Sequence, residues 1–189
     1  MVRVLIGSLV GGIAMFITGF IFWATPLQYI GYSTANDAQN AAVQLSLAQN
    51  LPHTGHYIVP NPMSPAGANG YTKGPIASVD YNASGFSPAD PAAMIAGFVQ
   101  ELIVSLIIGL SLFAVAGRVA DLASRLRVAI GLSAAASLMI VIGEPIWNHA
   151  DWRFALYSFV SDLAMLSASS FVIARWFLPA AAPASETIH

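Results

Sequence analysis

The sequence predicts an all-α membrane protein: a four-helix transmembrane bundle with a small α+β outer cap between spans one and two. Three observations carry this expectation. The chain of 189 residues is 57% hydrophobic and only 8% charged, and its mean hydropathy of +0.69 lies outside the range of an ordinary soluble domain. Four apolar runs, residues 4–24, 92–116, 128–147 and 154–178, are each long enough to cross a hydrocarbon core of roughly 30 Å at ~1.5 Å per helical residue. The long segment between the first two runs changes composition partway along.

Span one follows Met-Val-Arg. Its apolar part of ~20 residues exceeds the ~7–15 of a secretory signal, and no small-x-small site precedes Pro26, so it reads as a retained helix. Gly7 and Gly11 form a small-xxx-small pair that Ala14 and Thr18 continue. Such a face lets a second helix approach closely, and packing within the same chain is expected ahead of dimerisation.

The first half of the cap loop, residues 25–91, carries NDAQNAAVQLSLAQN. Asn36 and Asp37 can cap a helix there, and Ala38, Ala41, Leu45 and Ala48 share one face, which predicts a short amphipathic helix. Beyond Pro52, HYIVP and PIASVDY read as two strands joined by the turn-rich NPMSPAGANGYTKG. SPADP launches span two, with Pro91 at the first helical position. GRVADLASRLR predicts a tight turn that makes spans two and three antiparallel neighbours. The tail, residues 179–189, is small and polar and is expected to be disordered.

Arg3, Arg118, Arg125, Arg127 and Arg175 fall on one side of the four runs, and Lys73 and Arg153 on the other. The positive-inside rule then places both termini in the cytoplasm and the loop outside. Trp23, Trp147, Trp152 and Trp176 lie near span ends, where aromatic belts form.

The chain has no cysteine, which excludes disulfides, iron–sulfur clusters and thiolate zinc sites. None of the four histidines lies in a span, so haem is not expected either, and no cofactor is assigned. A net charge of −2 gives no reason to expect a nucleic-acid partner. His53, His56 and His149 are the weak candidates for a metal site, since zinc or copper needs three or four ligands with support behind them.

The chemistry-bearing residues are the carboxylates of the spans. Glu101 and Asp162 each lie about nine residues in from the outer boundary, a depth of ~13 Å, while Glu144 lies beside Pro145 near the outer end of span three. Each sits on a stripe of small or polar residues: Gly97, Glu101, Ser105 and Gly109; Ser133, Ser137 and Glu144; Ser158, Ser161, Asp162 and Ser169. Spacings of three and four put each stripe on one side of its helix. The three stripes are expected to face one another around a narrow polar interior, leaving Leu102, Leu106 and Phe113 to the lipid. An Asp at a helix centre costs about 2.5–3.5 kcal/mol on insertion scales, which apolar neighbours at about −0.3 to −0.6 kcal/mol each offset. The carboxylates should therefore be neutral or hydrogen-bonded. The expectation is a structural lock to Ser or backbone. The alternatives are a proton or solute path, a contact to a partner subunit, and catalysis.

WATP at the end of span one, with TGHYIVPNP and KGPIASVDY in the loop, resembles a group of uncharacterised bacterial inner-membrane proteins over roughly half the chain. The resemblance implies a bacterial inner membrane and carries no activity. The expected function is a non-enzymatic accessory or assembly subunit of a larger inner-membrane complex, with partner membrane subunits or further copies of itself within the lipid bilayer. A small proton-coupled carrier or channel using Glu101 and Asp162 is the alternative. An outer-leaflet lipid-acting enzyme using His53, His56 and Glu144 is the third.

Overall fold

The computed structural model describes residues 1–119 and 121–178; the expected disordered tail lies outside them. In chain order the elements are α1 (Val2–Trp23), a 3₁₀ turn (Pro26–Ile30), α2 (Asp37–Asn50), β1 (Gly55–Val59), α3 (Pro65–Lys73) and β2 (Ala77–Tyr81). Then follow α4 (Pro91–Val115), α5 (Leu122–Trp147) and α6 (Trp152–Phe177). Among the described residues, the helices α1, α4, α5 and α6 are the four that are long and apolar enough to cross a membrane. The chain divides into two compact units, one joining Met1–Tyr32 to the chain from Pro91 onward, the other Ser33–Asp90.

The boundary between units falls later than residue 25 because the 3₁₀ turn is held on the helical unit. Arg153 donates to the carbonyls of Tyr29 (2.8 Å) and Ile30. A Cβ on Gly31 would stand 2.8 Å from the ring of Tyr157, so the chain leaves the helices only after that contact.

In the smaller unit a capping box sets the start of α2. The Asn36 side chain accepts from the Gln39 N–H at 2.9 Å, and the Gln39 side chain accepts from the Asn36 N–H at 3.0 Å. The face made by Ala38, Ala41, Leu45 and Ala48 is exposed along its length, so α2 does not act as an amphipathic helix with a covered side. β1 and β2 pair antiparallel with His56 opposite Asp80 and Val59 opposite Ala77. Their connection is the helix α3, not the turn-rich loop expected. Ser64 accepts from the Gly67 N–H at 3.0 Å and Pro65 takes the first helical position. A side chain at residue 67 would run into the Asn61 carbonyl. Cap and close fit override the poor helix propensity that two glycines give this stretch.

In the helical unit α1 packs against α4 on one side and α6 on the other, and α6 also carries α5. Glycines make the approach close. Cβ atoms added at Gly7, Gly12 and Gly19 would stand 2.5 Å from Phe177, 2.6 Å from Leu102 and 2.8 Å from Met165. Helix directions follow from the pairings. Trp23 meets Ser161, and the positions of Gly11 and Gly7 meet Ser169 and Phe177, so α1 and α6 run antiparallel.

Two expectations about packing change. Leu102 lies against Gly12, Leu106 is half-buried and Phe113 packs on the apolar core; the exposed side of α4 is instead Ile103, Ile107 and Leu110. Spans two and three are also not close neighbours, because α5 packs on α6 and scarcely touches α4. Between α4 and α5 lies an apolar cleft of about 260 Å³ lined by Ile107, Leu112, Val128 and Leu132 among others.

All four long helices meet at one end of the unit, in a core of Val4, Leu112, Ala129, Ile173, Ala174 and Leu178. There α5 begins at Leu122, earlier than residue 128, so Arg125 and Arg127 belong to the helix and not to the turn. Further along, one face of α5 is bare, with Met139 79% and Ile140 71% exposed. A π-helical turn at Leu138–Ile142 precedes Pro145. Proline removes one helical N–H and its ring crowds the carbonyl four residues earlier, here that of Val141, and a widened turn relieves both. Span three is therefore not a regular helix throughout, and α6 widens in the same way at Ile173–Phe177.

Asp121 caps α5, its side chain accepting from the Ser124 N–H at 2.9 Å. That bond holds the Asp121 carboxyl below its ordinary value. A depressed carboxyl pKa contributes stability that is complete above the unfolded value and is lost as pH falls through the folded one. Melting in detergent should therefore drop on acidification more in the wild type than in Asp121→Asn; identical acid sensitivity would remove this role.

A carboxylate-lined cavity between three helices

Glu101 and Asp162 each come ten residues after the first residue of their helix, Pro91 and Trp152, about 15 Å along the axis. Both line one cavity of about 210 Å³. Its other walls are Met15 from α1, Gly97, Gln100 and Val104 from α4, and Met165 and Leu166 from α6. Farther along both helices Ser105 meets Ser169, so α4 and α6 run in the same direction and bring the two acids to one level.

Two hydrogen-bonded layers bound this level. On one side the hydroxyl of Ser105 donates to the Ser8 carbonyl at 2.7 Å and pairs with that of Ser169 at 2.8 Å, tying α4, α1 and α6 together. On the other side the indole of Trp23 donates to the Ser161 hydroxyl at 2.8 Å, and the Tyr157 hydroxyl donates to the Phe22 carbonyl at 2.6 Å. The rings of Trp23 and Tyr157 meet edge to face at 5.1 Å, and Phe154 and Tyr32 extend the cluster. Serines and aromatics thus carry the interhelical polar contacts.

The carboxylates do not. Neither Glu101 nor Asp162 makes a side-chain hydrogen bond or ion pair with any described residue, and Glu101 Oε2 is buried without a partner. The expected lock to Ser or backbone is therefore absent. The single polar interior expected from three stripes is also corrected. Glu101 and Asp162 share their cavity, but Glu144 is exposed near the end of α5, where the Asn148 amide donates to it at 2.9 Å. Ser137 is buried on α5, a helix that scarcely touches α4. Ser158 is half-buried on α6, and Ser105 belongs to the serine layer. Among the glycines, Gly7, Gly11 and Gly109 sit at helix contacts, whereas nothing lies within 4 Å of a Cβ built on Gly97, which opens onto the cavity instead.

The histidines are engaged separately. His56 pairs with Asp80 at 2.7 Å across the two strands and reaches the Ser78 hydroxyl at 3.3 Å. His53 meets the Tyr57 hydroxyl at 2.9 Å, and His149 takes a left-handed backbone (φ 53°) after α5. Among the described residues no three His, Asp or Glu side chains converge as a metal site would require.

Sequence reasoning missed Met15, Gln100 and Met165 as cavity walls and Gly12 and Gly19 as contacts. It also missed Arg125, which is buried. Gly12 and Gly19 carried a signal, being small residues in the same span as Gly7 and Gly11. The methionines carried none, since a thioether in an apolar run reads as filler. No protein-family model, curated protein or solved structure matches the chain.

Proposed function

We propose that the chain is a bacterial inner-membrane protein that handles protons inside the bilayer, as a small proton-coupled carrier or channel component in which Glu101 and Asp162 are the exchanging groups. The observation that carries this reading is that two carboxylates without hydrogen-bond partners line one cavity between three apolar helices. An unpaired carboxylate away from water is costly, and ionisable groups within spans mark ion or proton paths by default. The cavity lining includes no Lys, Arg or His, so charge there is balanced by a proton or an incoming cation. Both termini face the cytoplasm and Ser33–Asp90 faces the periplasm under this reading, following the arginine distribution. Reporter fusions at Asn69 should then read as outside and fusions after Gly117 or at His189 as inside; an outward His189 would overturn the four-crossing topology.

Flux decides the reading. In proteoliposomes with a trapped pH-sensitive dye, the wild type should pass protons. Glu101→Gln and Asp162→Asn should keep wild-type melting in detergent and fall to the level of empty liposomes, because an amide cannot relay a proton. Undiminished flux in the double isostere would sink the proposal.

A second reading, the accessory or assembly subunit, draws support from α5, whose most apolar window is only 6% buried against 39% for α1. A helix that buries so little of its surface suits a bundle completed by a partner. Absence of flux from the pure protein, together with one stoichiometric membrane partner retained in mild detergent, would favour that reading. The outer-leaflet enzyme gains no support, since His53, His56 and Glu144 each bond to a neighbour and lie on separate elements.

A further inference from the structure

We infer that the groove between the end of α1 and the start of α6 is a binding site for a monoanionic phospholipid. Phe22, Ile30, Leu156, Tyr157 and Val160 line it with Arg153, enclosing about 660 Å³ of almost wholly apolar space. Arg153, Leu156, Tyr157 and Val160 lie at helical spacings of three and four, on one face of α6. The groove therefore starts at a cation in the first turn of α6 and runs inward for about 10 Å.

That polarity matches a lipid. The charged end lies beside Trp152, a residue of the kind that marks the water boundary, and the apolar end points along the span, so a phosphate at Arg153 directs an acyl chain past Leu156 and Val160.

Arg153 is also set in advance. Its Nε donates to the Ile30 carbonyl and one terminal nitrogen donates to the Tyr29 carbonyl at 2.8 Å. A guanidinium has five N–H donors in a planar fork, so these bonds orient it while leaving three donors for phosphate oxygens. Much of the ordering that a free arginine side chain loses on binding is thus already complete. The nearest acid, Asp151, is turned to another task, accepting from the backbone N–H groups of Arg153 (3.1 Å) and Phe154 (3.3 Å) as the helix cap. No Asp or Glu lines the groove.

The full chain, purified in a zwitterionic detergent and titrated with phosphatidylglycerol or phosphatidylcholine, is read by native mass spectrometry. Phosphatidylglycerol should be retained in preference, by about fivefold for one interfacial arginine. Arg153→Gln should abolish the preference. Because that change also frees the 3₁₀ turn, Val160→Trp provides the independent arm, filling the groove with Arg153 intact, and it should lose phosphatidylglycerol as well. Free glycerol phosphate should not compete, since the apolar groove supplies much of the binding. Equal retention of both lipids by the wild type, a preference that survives Val160→Trp, or full competition by glycerol phosphate would each overturn the assignment.

Discussion

Gly11→Val should unfold the helical unit in detergent far below the wild-type temperature, while Gly131→Val should not. A Cβ on Gly11 would stand 2.8 Å from both Ser105 Oγ and Ser169 Oγ and 3.1 Å from Ile173 Cδ1. Those two hydroxyls bond to each other, and that of Ser105 also donates to the Ser8 carbonyl, so the added side chain wedges apart the layer where α1, α4 and α6 meet. Overpacking costs about 1–3 kcal/mol, and each interhelical hydrogen bond lost adds roughly 0.6–1.7 kcal/mol. Gly131 is the matched comparison on α5, because nothing lies within 4 Å of its added Cβ. Thermal melts of both variants in one detergent decide the matter, and equal melting points would mean that the serine layer does not hold the helices.

The second large effect belongs to Arg125→Met, which should destabilise the helical unit by roughly 2–4 kcal/mol, since a hydrogen bond to a charged group contributes about 1.5–3 kcal/mol and buried orphan carbonyls carry a penalty of their own. Arg125 is only 4% exposed, and it donates to the carbonyls of Val119 at 2.8 Å and Ala116 at 3.3 Å. These belong to the turn that follows α4, where the helix leaves carbonyls without partners. Arg125 therefore closes the end of one helix from the first turn of the next. Methionine keeps the packing of the stem and removes the donors. Lysine should not rescue, because a single ammonium cannot reproduce the fork. A wild-type melting point for Arg125→Met, or full rescue by Arg125→Lys, would show the arginine to be packing alone.

How far the sequence could be read follows from what each signal encodes. The four long helices were legible because hydropathy reports transfer from water to an apolar medium. The common depth of Glu101 and Asp162 was legible because residue count along a helix is distance. Helix pairing was not legible from apolar residues. Leu102 meets Gly12 and Ile103 is largely exposed, yet both are equally at home in lipid, so the pattern of inside and outside that marks a soluble core is missing. Small residues partly replaced it, which is why Gly7, Gly11 and Gly109 were found. Arg125 was hidden by the rule that made it useful, since counting arginines to orient a chain treats each as a surface charge. The carboxylates were located but their bonding was misjudged. Serine stripes at matching spacings imply partners, and only the fold shows that Ser105 and Ser161 turn to other helices.

The pairing of α1 with α4 and α6 also separates the order of synthesis from the order of assembly. α1 presents Gly11 and Gly19 to Ser169 and Met165 of α6, so its contact surface is complete only after α6 has left the ribosome. α5 is likewise made before α6, the helix it packs on. Until α6 arrives, the nascent chain holds α1 and α4 as a pair and α5 without the helix it packs on. α6 thus acts as the closing member of the four-helix bundle, the element without which α1 and α5 each lack a packing partner.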